Sequence, residues 1–286
     1  MKVLVTGVKG QLGYDVVQEL EQRGHCAIGI DVNEMDITDC VQVKNVMQKV
    51  NPNAVIHCAA WTAVDKAEQY PEKVYEVNAL GAKYIAEQCK TAGAKMVFIS
   101  TDYVFEGIGE TPYEVTDERN GLSVYGKSKI QGEDFVTELL DKYFIVRTTW
   151  VFGVNGGNFV KTMLRLADSG KTELNVVNDQ IGSPTYTKDL AVLLCDMIET
   201  EKYGVYHATN EGYCSCYEFA CEIFKQAKRQ MLVNPVTTEQ YLQMVPQQAK
   251  RPLNSRLDKT KLQESGFEPL PTWQEALKRY LKEIGV

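Results

Sequence analysis

The chain has 286 residues, 44% of them hydrophobic, enough for a sizeable buried core in one compact α/β unit with a smaller companion lobe. Its 31 basic and 38 acidic side chains leave a net charge of −7 and form no basic runs. This excludes binding of nucleic acid or an anionic membrane driven by global charge. No apolar run approaches the ~20 residues needed to cross a bilayer. The opening Met1-Lys2-Val3-Leu4-Val5 enters a strand at once, which predicts no signal peptide and a cytoplasmic protein.

Val3-Leu4-Val5 is the first predicted strand. A glycine-rich turn follows, then a helix carrying Leu12, Val16, Val17 and Leu20 at helical spacing. Further strands are predicted over Cys26–Ile30, Ala54–His57, 96–100 and 144–147. Between the third and fourth, residues 72–92 present Val74, Val77, Ala82, Ile85 and Ala86 on one helical face. Such alternation is the signature of βαβ units, and it predicts an α/β fold, a Rossmann-type doubly wound parallel sheet.

After Arg147 the alternation loosens. A Gly/Asn loop over 153–157 precedes a helix over 159–167, and short strands are predicted at 175–178 and 205–208. Thr272-x-x-Glu275 has capping-box spacing and opens a last helix with Leu277, Tyr280, Leu281 and Ile284 facing inward. The division this predicts is a dinucleotide-binding lobe of residues 1–153 plus roughly 187–210. Residues 154–186 and 211–286 form a smaller, interwoven α/β substrate lobe.

Two motifs carry chemistry. The first is Thr6-Gly7-Val8-Lys9-Gly10-Gln11-Leu12-Gly13, between strand one and the first helix. A pyrophosphate can rest on a helix N-terminus only where no Cβ blocks the backbone, and the partial positive charge there favours an anion. Asp31, ending strand two, is positioned to accept hydrogen bonds from an adenosine ribose. An acid there favours a free 2′-hydroxyl, while Lys9 offsets part of the repulsion of a 2′-phosphate, so the reading is tolerance of both NADH and NADPH.

The second motif is Tyr125-Gly126-Lys127-Ser128-Lys129. Tyr125 and Lys129 are four apart and share a helix face, where an ammonium favours the phenolate and draws the phenol toward the working range. Alone, such a pair is usually a solvated helix edge. Here strand four ends in Ser100-Thr101-Asp102, at the carboxyl end of a parallel strand, where ligands of open α/β sheets sit. His57 reads as a hydrogen-bonded structural group. Cys26, Cys58, Cys89 and Cys195 sit in apolar segments as reduced thiols, and Cys214, Cys216 and Cys221 lack the spacing of a zinc site. No metal site is predicted.

Together these features resemble the extended short-chain dehydrogenase/reductase family. The resemblance narrows to its dTDP-4-dehydrorhamnose reductase subfamily on Ala59-Ala60-Trp61-Thr62-Ala63-Val64-Asp65-Lys66-Ala67-Glu68, Ser100-Thr101-Asp102-Tyr103-Val104-Phe105, Arg147-Thr148-Thr149-Trp150-Val151-Phe152-Gly153, Asn158-Phe159-Val160, Asn178-Asp179-Gln180 with Pro184-Thr185, and Arg251-Pro252-Leu253-Asn254-Ser255. It runs through nearly the whole chain.

The resemblance implies that Tyr125 and Lys129 are the catalytic pair and that Thr101 holds a sugar carbonyl. It implies Asp102, Tyr103 and Trp150 in the sugar pocket. Gly7, Gly10, Gln11, Leu12, Gly13, Asp31, Asp36, Ile37, Ala59, Ala60, Trp61 and Thr62, with Tyr125 and Lys129, would contact NADPH or NADH. It further implies reduction of the C4 ketone of a dTDP-linked 6-deoxy-4-hexulose to dTDP-L-rhamnose, for cell-surface polysaccharide synthesis. Mg²⁺ and a homodimer are admitted by the resemblance alone.

Where the family often carries Pro before the catalytic Tyr, this chain has Gly121, which predicts a looser loop. Related 4,6-dehydratases carry Thr-Asp-Glu where this chain has Thr101-Asp102-Tyr103, and a phenol is a poor base for elimination. Arg251 either caps a surface carboxylate or meets a diphosphate. The alternatives are a cofactor-binding regulatory subunit, or a reductase of a different nucleotide-linked keto sugar.

Overall fold

The computed structural model describes residues 1–245 and 249–286. Six parallel strands form the central sheet: β1 (Lys2–Thr6), β2 (Cys26–Ile30), β3 (Ala54–His57), β4 (Lys95–Thr101), β5 (Tyr143–Thr148) and a sixth, Gly204–His207. In space they run β2-β1-β3-β4-β5 and then the sixth, every neighbouring pair parallel. The chain reverses its direction of travel across the sheet between β1 and β3, so the carboxyl ends of those two strands flank the crevice where open α/β sheets bind ligands.

Strand period explains the two-sided core. Val3, Val5, Ile56, Val97 and Val146 point to one face, packing on Val16 and Leu20 of helix α1 (Gln11–Gln22) and on Leu190, Leu194 and Ile198 of helix Thr187–Ile198. Leu4, Val55, Met96, Phe98 and Ile145 point to the other, against Val43 and Met47 of helix α2 (Cys40–Val50) and Ile85, Cys89 and Val136. A third cluster lies off the sheet, where helices Phe159–Asp168, Cys216–Gln226 and Trp273–Glu283 bury Val160, Phe219, Trp273 and Tyr280. Leu262, Phe267 and Leu270 reach back into the first cluster.

Some expectations need correcting. Residues 72–92 are not one regular helix. Helices Pro71–Tyr75 and Gly81–Ala92 are joined by a π-helical turn, Glu76–Leu80. That turn places buried Asn78 where its side chain accepts the Trp61 N–H at 2.7 Å and donates to the Ser128 hydroxyl at 3.0 Å. Thr272 caps the last helix without a side-chain bond, and Glu275 accepts from Arg279 one turn on (2.9 Å) instead of closing a capping box. The boxes that do form are Ser215 with Glu218 and Thr237 with Gln240. Cys26 is exposed, since it opens the edge strand β2 at its outer end; Cys89 and Cys195 are buried, and all eight cysteines are free. Among the described residues no helix is long and apolar enough to cross a membrane.

Candidate active site

The turn after β1 is shaped by missing side chains. Gly7 has φ of +70°, and a Cβ there would lie 2.8 Å from the Cα and N of Ala59 just beyond β3. At Gly13 a Cβ would press into the Gly7 carbonyl, so α1 reaches the turn only with glycine at that position. Gly10 is the N-cap of α1, and no side chain caps that end. The first-turn N–H groups are therefore left for an anion, at the positive end of the helix dipole. This is a cradle that fits a dinucleotide pyrophosphate.

Asp31 is tied to the glycine turn. One carboxylate oxygen accepts the Lys9 N–H at 3.0 Å and the other the Val32 N–H at 2.9 Å, pinning the glycine turn. Asp36, Ile37, Ala59, Ala60 and Thr62 line the same cavity. Trp61 stands outside its wall, its indole N–H directed to the Ala63 carbonyl (3.3 Å) and its ring tilted on Tyr70.

Helix Val124–Leu139 brings Tyr125 and Lys129 to the carboxyl end of β4. Two glycines make the approach possible. A Cβ on Gly126 would overlap the Tyr103 carbonyl, and one on Gly132 would lie 2.6 Å from the Asn78 carbonyl. Gly121 is buried for the same reason: a Cβ would sit 2.5 Å from the Tyr103 carbonyl. The expected looser loop is not there; this segment is closely packed.

Thr101, Asp102, Tyr103, Tyr125, Lys129 and Trp150 all line one cavity of about 930 Å³, which continues to the glycine turn. A side chamber of about 190 Å³ shares Tyr103, Trp150, Phe159 and Arg251 and adds Phe152, Phe219, Gln180 and Ser255. Trp150 has φ of +46°, a conformation rarely adopted by a bulky side chain, and this holds its ring between the two spaces.

The Thr101 hydroxyl donates to Asp102 at 3.0 Å, and the Ser255 hydroxyl donates to the other Asp102 oxygen. Burial pushes the Asp102 carboxyl up to about 6, against those bonds. The Tyr103 ring meets Tyr125 edge-on (5.4 Å between centroids), and its phenol accepts from Arg251 at 3.3 Å while burial raises it to about 12. Arg251 also pairs with Asp65 at 3.0 Å, so it both caps a carboxylate and lines the cavity.

The expectation that Lys129 draws the Tyr125 phenol down is overturned. Burial holds the phenol well above its usual range, with Thr101 opposing and the Asp102 charge adding to the rise. Burial also lowers Lys129, to about 7, against the pull of Glu133. The Lys129 ammonium lies 3.8 Å from the centroid of the Phe98 ring. Behind it, Glu133 accepts from Arg147 Nε (2.9 Å) and Nη2 (2.7 Å) and from the Ser100 hydroxyl (2.5 Å). Burial alone would raise Glu133; the Arg147 bonds and charge outweigh it and hold the carboxylate ionised.

His57 is structural, as expected: its Nδ1 lies 2.8 Å from the Thr6 hydroxyl, its ring stacks on Phe98, and burial keeps it neutral, down to about 3. Among the described residues no three His, Cys, Asp or Glu side chains are grouped so as to hold a metal ion.

A family model described as the RmlD substrate binding domain matches residues 1–286. The chain belongs to this family. Among relatives, it is 43% identical to a dTDP-4-dehydrorhamnose reductase of Aggregatibacter actinomycetemcomitans, covering 97% of each chain. It is also 43% identical to the spore coat polysaccharide biosynthesis protein SpsK of Bacillus subtilis, over 99% of this chain and 97% of that one. A crystal structure of dTDP-4-dehydrorhamnose reductase from Bacillus anthracis in complex with NADP superimposes with a TM-score of 0.94 at 44% identity, covering 99% of both chains.

For this RmlD-type chain, Asn78, Glu133 and Ser255 are the residues that sequence reasoning missed. Glu133 had a signal, since it lies one turn beyond Lys129 on the same helix. Ser255 lay in the block 251–255 that carries the resemblance, but nothing there tied it to Asp102, and Asn78 had no local signal, because their partners lie far away along the chain.

Proposed function

We propose that this protein uses NAD(P)H to reduce the C4 ketone of a dTDP-linked 6-deoxy-4-hexulose, giving dTDP-L-rhamnose for cell-surface polysaccharide synthesis in the cytoplasm. The observation that carries this reading is the meeting of Thr101, Tyr125 and Lys129 on one cavity wall that runs to an uncapped glycine turn. The dTDP-4-dehydrorhamnose reductases that match over the whole chain support the substrate class. A regulatory subunit without catalysis would have no chemical use for that trio. In the division of labour we propose, residues 1–153 with 187–210 serve the cofactor and the remainder serves the sugar nucleotide.

When bound, the reduced nicotinamide supplies the hydride for the ketone carbon. Gly7, Gly10 and Gly13 would admit its pyrophosphate to the α1 N-terminus, Asp31 would meet the adenosine ribose, and Lys129 would hold the nicotinamide ribose. Tyr125 donates its phenolic proton to the carbonyl oxygen as negative charge develops there. Its raised pKa keeps that proton in place until the charge appears. The Lys129 ammonium then stabilises the phenolate. Thr101 turns its hydroxyl from Asp102 to the same substrate oxygen, and Trp150 and Tyr103 flank the sugar ring.

Asp31→Ala is expected to weaken NADH more than NADPH, because only the free 2′-hydroxyl uses the carboxylate. Loss of the bond to the Lys9 N–H adds a smaller penalty common to both. Dissociation constants for the two cofactors check this; equal losses would show that Asp31 acts on the turn alone.

The test of the reaction type uses dTDP-glucose with oxidised cofactor. Elimination across C5–C6 needs a base and an acid, and the β4 end offers one carboxyl group, Asp102, held by Thr101 and Ser255. No 4-keto-6-deoxy product is expected by mass spectrometry. Its appearance would overturn reduction as the native chemistry.

A further inference from the structure

Two side chains one turn apart on α1, Gln11 and Asp15, reach across to the chain beyond β5. The Gln11 carboxamide oxygen accepts the Gly153 N–H and the Asn158 side-chain N–H, each at 2.9 Å. Asp15 accepts from the Thr187 hydroxyl. From the other side, the Asn155 amide donates to the Lys9 carbonyl within the glycine turn at 2.8 Å.

The stretch 153–158 is therefore a strap bonded to the cofactor turn. Lys161 fastens its middle by donating to the Gly156 carbonyl at 2.8 Å. Asn158 ends it by accepting the Lys161 N–H at 2.9 Å, which caps helix Phe159–Asp168. Phe159, the first residue of that helix, lines both the main cavity and the side chamber, as does Trp150 just before the strap.

We propose that Gln11 is a positioning residue that couples cofactor occupancy to the shape of the sugar-nucleotide pocket. An anion seated on the α1 N-terminus orders the turn. Gln11 passes that order to Gly153 and Asn158, and the strap then sets Phe159 and Trp150 for the second ligand. The identity of that ligand rests on the function proposed above; the coupling itself does not. Linkage requires the effect to be reciprocal, so each ligand tightens the other by one and the same factor.

The experiment measures amide hydrogen exchange in helix Phe159–Asp168 with and without saturating NADP⁺, in the wild type and in Gln11→Met. Methionine matches the reach of glutamine but accepts no bond from Gly153. NADP⁺ is expected to slow exchange about tenfold in the wild type and to leave it unchanged in the variant, a factor typical of coupled sites. In parallel, dTDP should bind the wild type about tenfold tighter when NADP⁺ is present, with a ratio near one in Gln11→Met. Asn158→Asp keeps the cap acceptor and the Gly153 bond to Gln11 but loses the Asn158 donor, and should move both ratios part of the way to one. A role in stability alone would lower Tm and leave both ratios at wild-type values, which overturns the proposal, as does a wild type that shows no response. If dTDP fails to bind the NADP⁺-loaded wild type, the sugar-nucleotide reading falls, and the exchange comparison still decides the coupling.

Discussion

Tyr125→Phe should fold, bind NADP⁺ like the wild type, and lose roughly 10²-fold or more in kcat, the scale of a general acid removed. The ring carries the packing, its edge set against Tyr103, so removing the hydroxyl leaves the helix in place. What disappears is the acid beside Thr101 that burial keeps protonated through the neutral range. The pH profile separates it from its partner. Lys129 is a cation below about 7 and neutral above, so kcat/KM at saturating cofactor should fall as pH rises through that value, when the phenolate loses its counter-charge. In Tyr125→Phe no phenolate forms, and the residual rate should be flat from about pH 6 to about pH 9. Near wild-type turnover, or a residual rate with the parent profile, would contradict the role given to the phenol.

Gly126→Ala should be as damaging to activity by a different route. One methyl group placed on the Tyr103 carbonyl forces helix Val124–Leu139 away from the end of β4. The helix carries Tyr125 and Lys129 with it, and a shift near 1 Å can cost about 10²-fold in rate. Overpacking of this kind also costs about 3 kcal/mol of stability. The expected pattern is a Tm lower by several degrees, kcat reduced about 10²-fold, and cofactor affinity reduced much less, since the glycine turn lies on other elements. A variant with wild-type kcat would mean that the close approach of helix and strand end does not position the pair.

These two cases show where the sequence is legible and where it is not. The strands of the sheet are short apolar runs, buried throughout in β3 and half-exposed in the edge strand β2, so both could be bounded from their residues alone. The glycine turn was legible because strand, turn and helix are contiguous. The π-helical turn at Glu76–Leu80 was not, because Asn78 is bonded to Trp61 and Ser128, 17 and 50 residues away. Gly121 and Gly126 look like freedom in the sequence and turn out to be close packing, since the carbonyl they accommodate comes from Tyr103. Strand Leu232–Val236 contains Pro235 and little buried surface, so nothing in its pattern announced its parallel partner Glu173–Val177. The rise in the Tyr125 pKa is not legible, because spacing reports the neighbouring ammonium and says nothing of burial.

The central claim is that this cavity reduces a nucleotide-linked 4-keto sugar with a nicotinamide cofactor. The most direct measurement follows the oxidation of NADPH and of NADH by the absorbance of the reduced nicotinamide, with a dTDP-linked 6-deoxy-4-hexulose as substrate, the product being identified by mass spectrometry and NMR. The account predicts stoichiometric cofactor oxidation and a dTDP-6-deoxyhexose reduced at C4. Folded, cofactor-binding protein that leaves both the cofactor and the 4-keto sugar unchanged would contradict it.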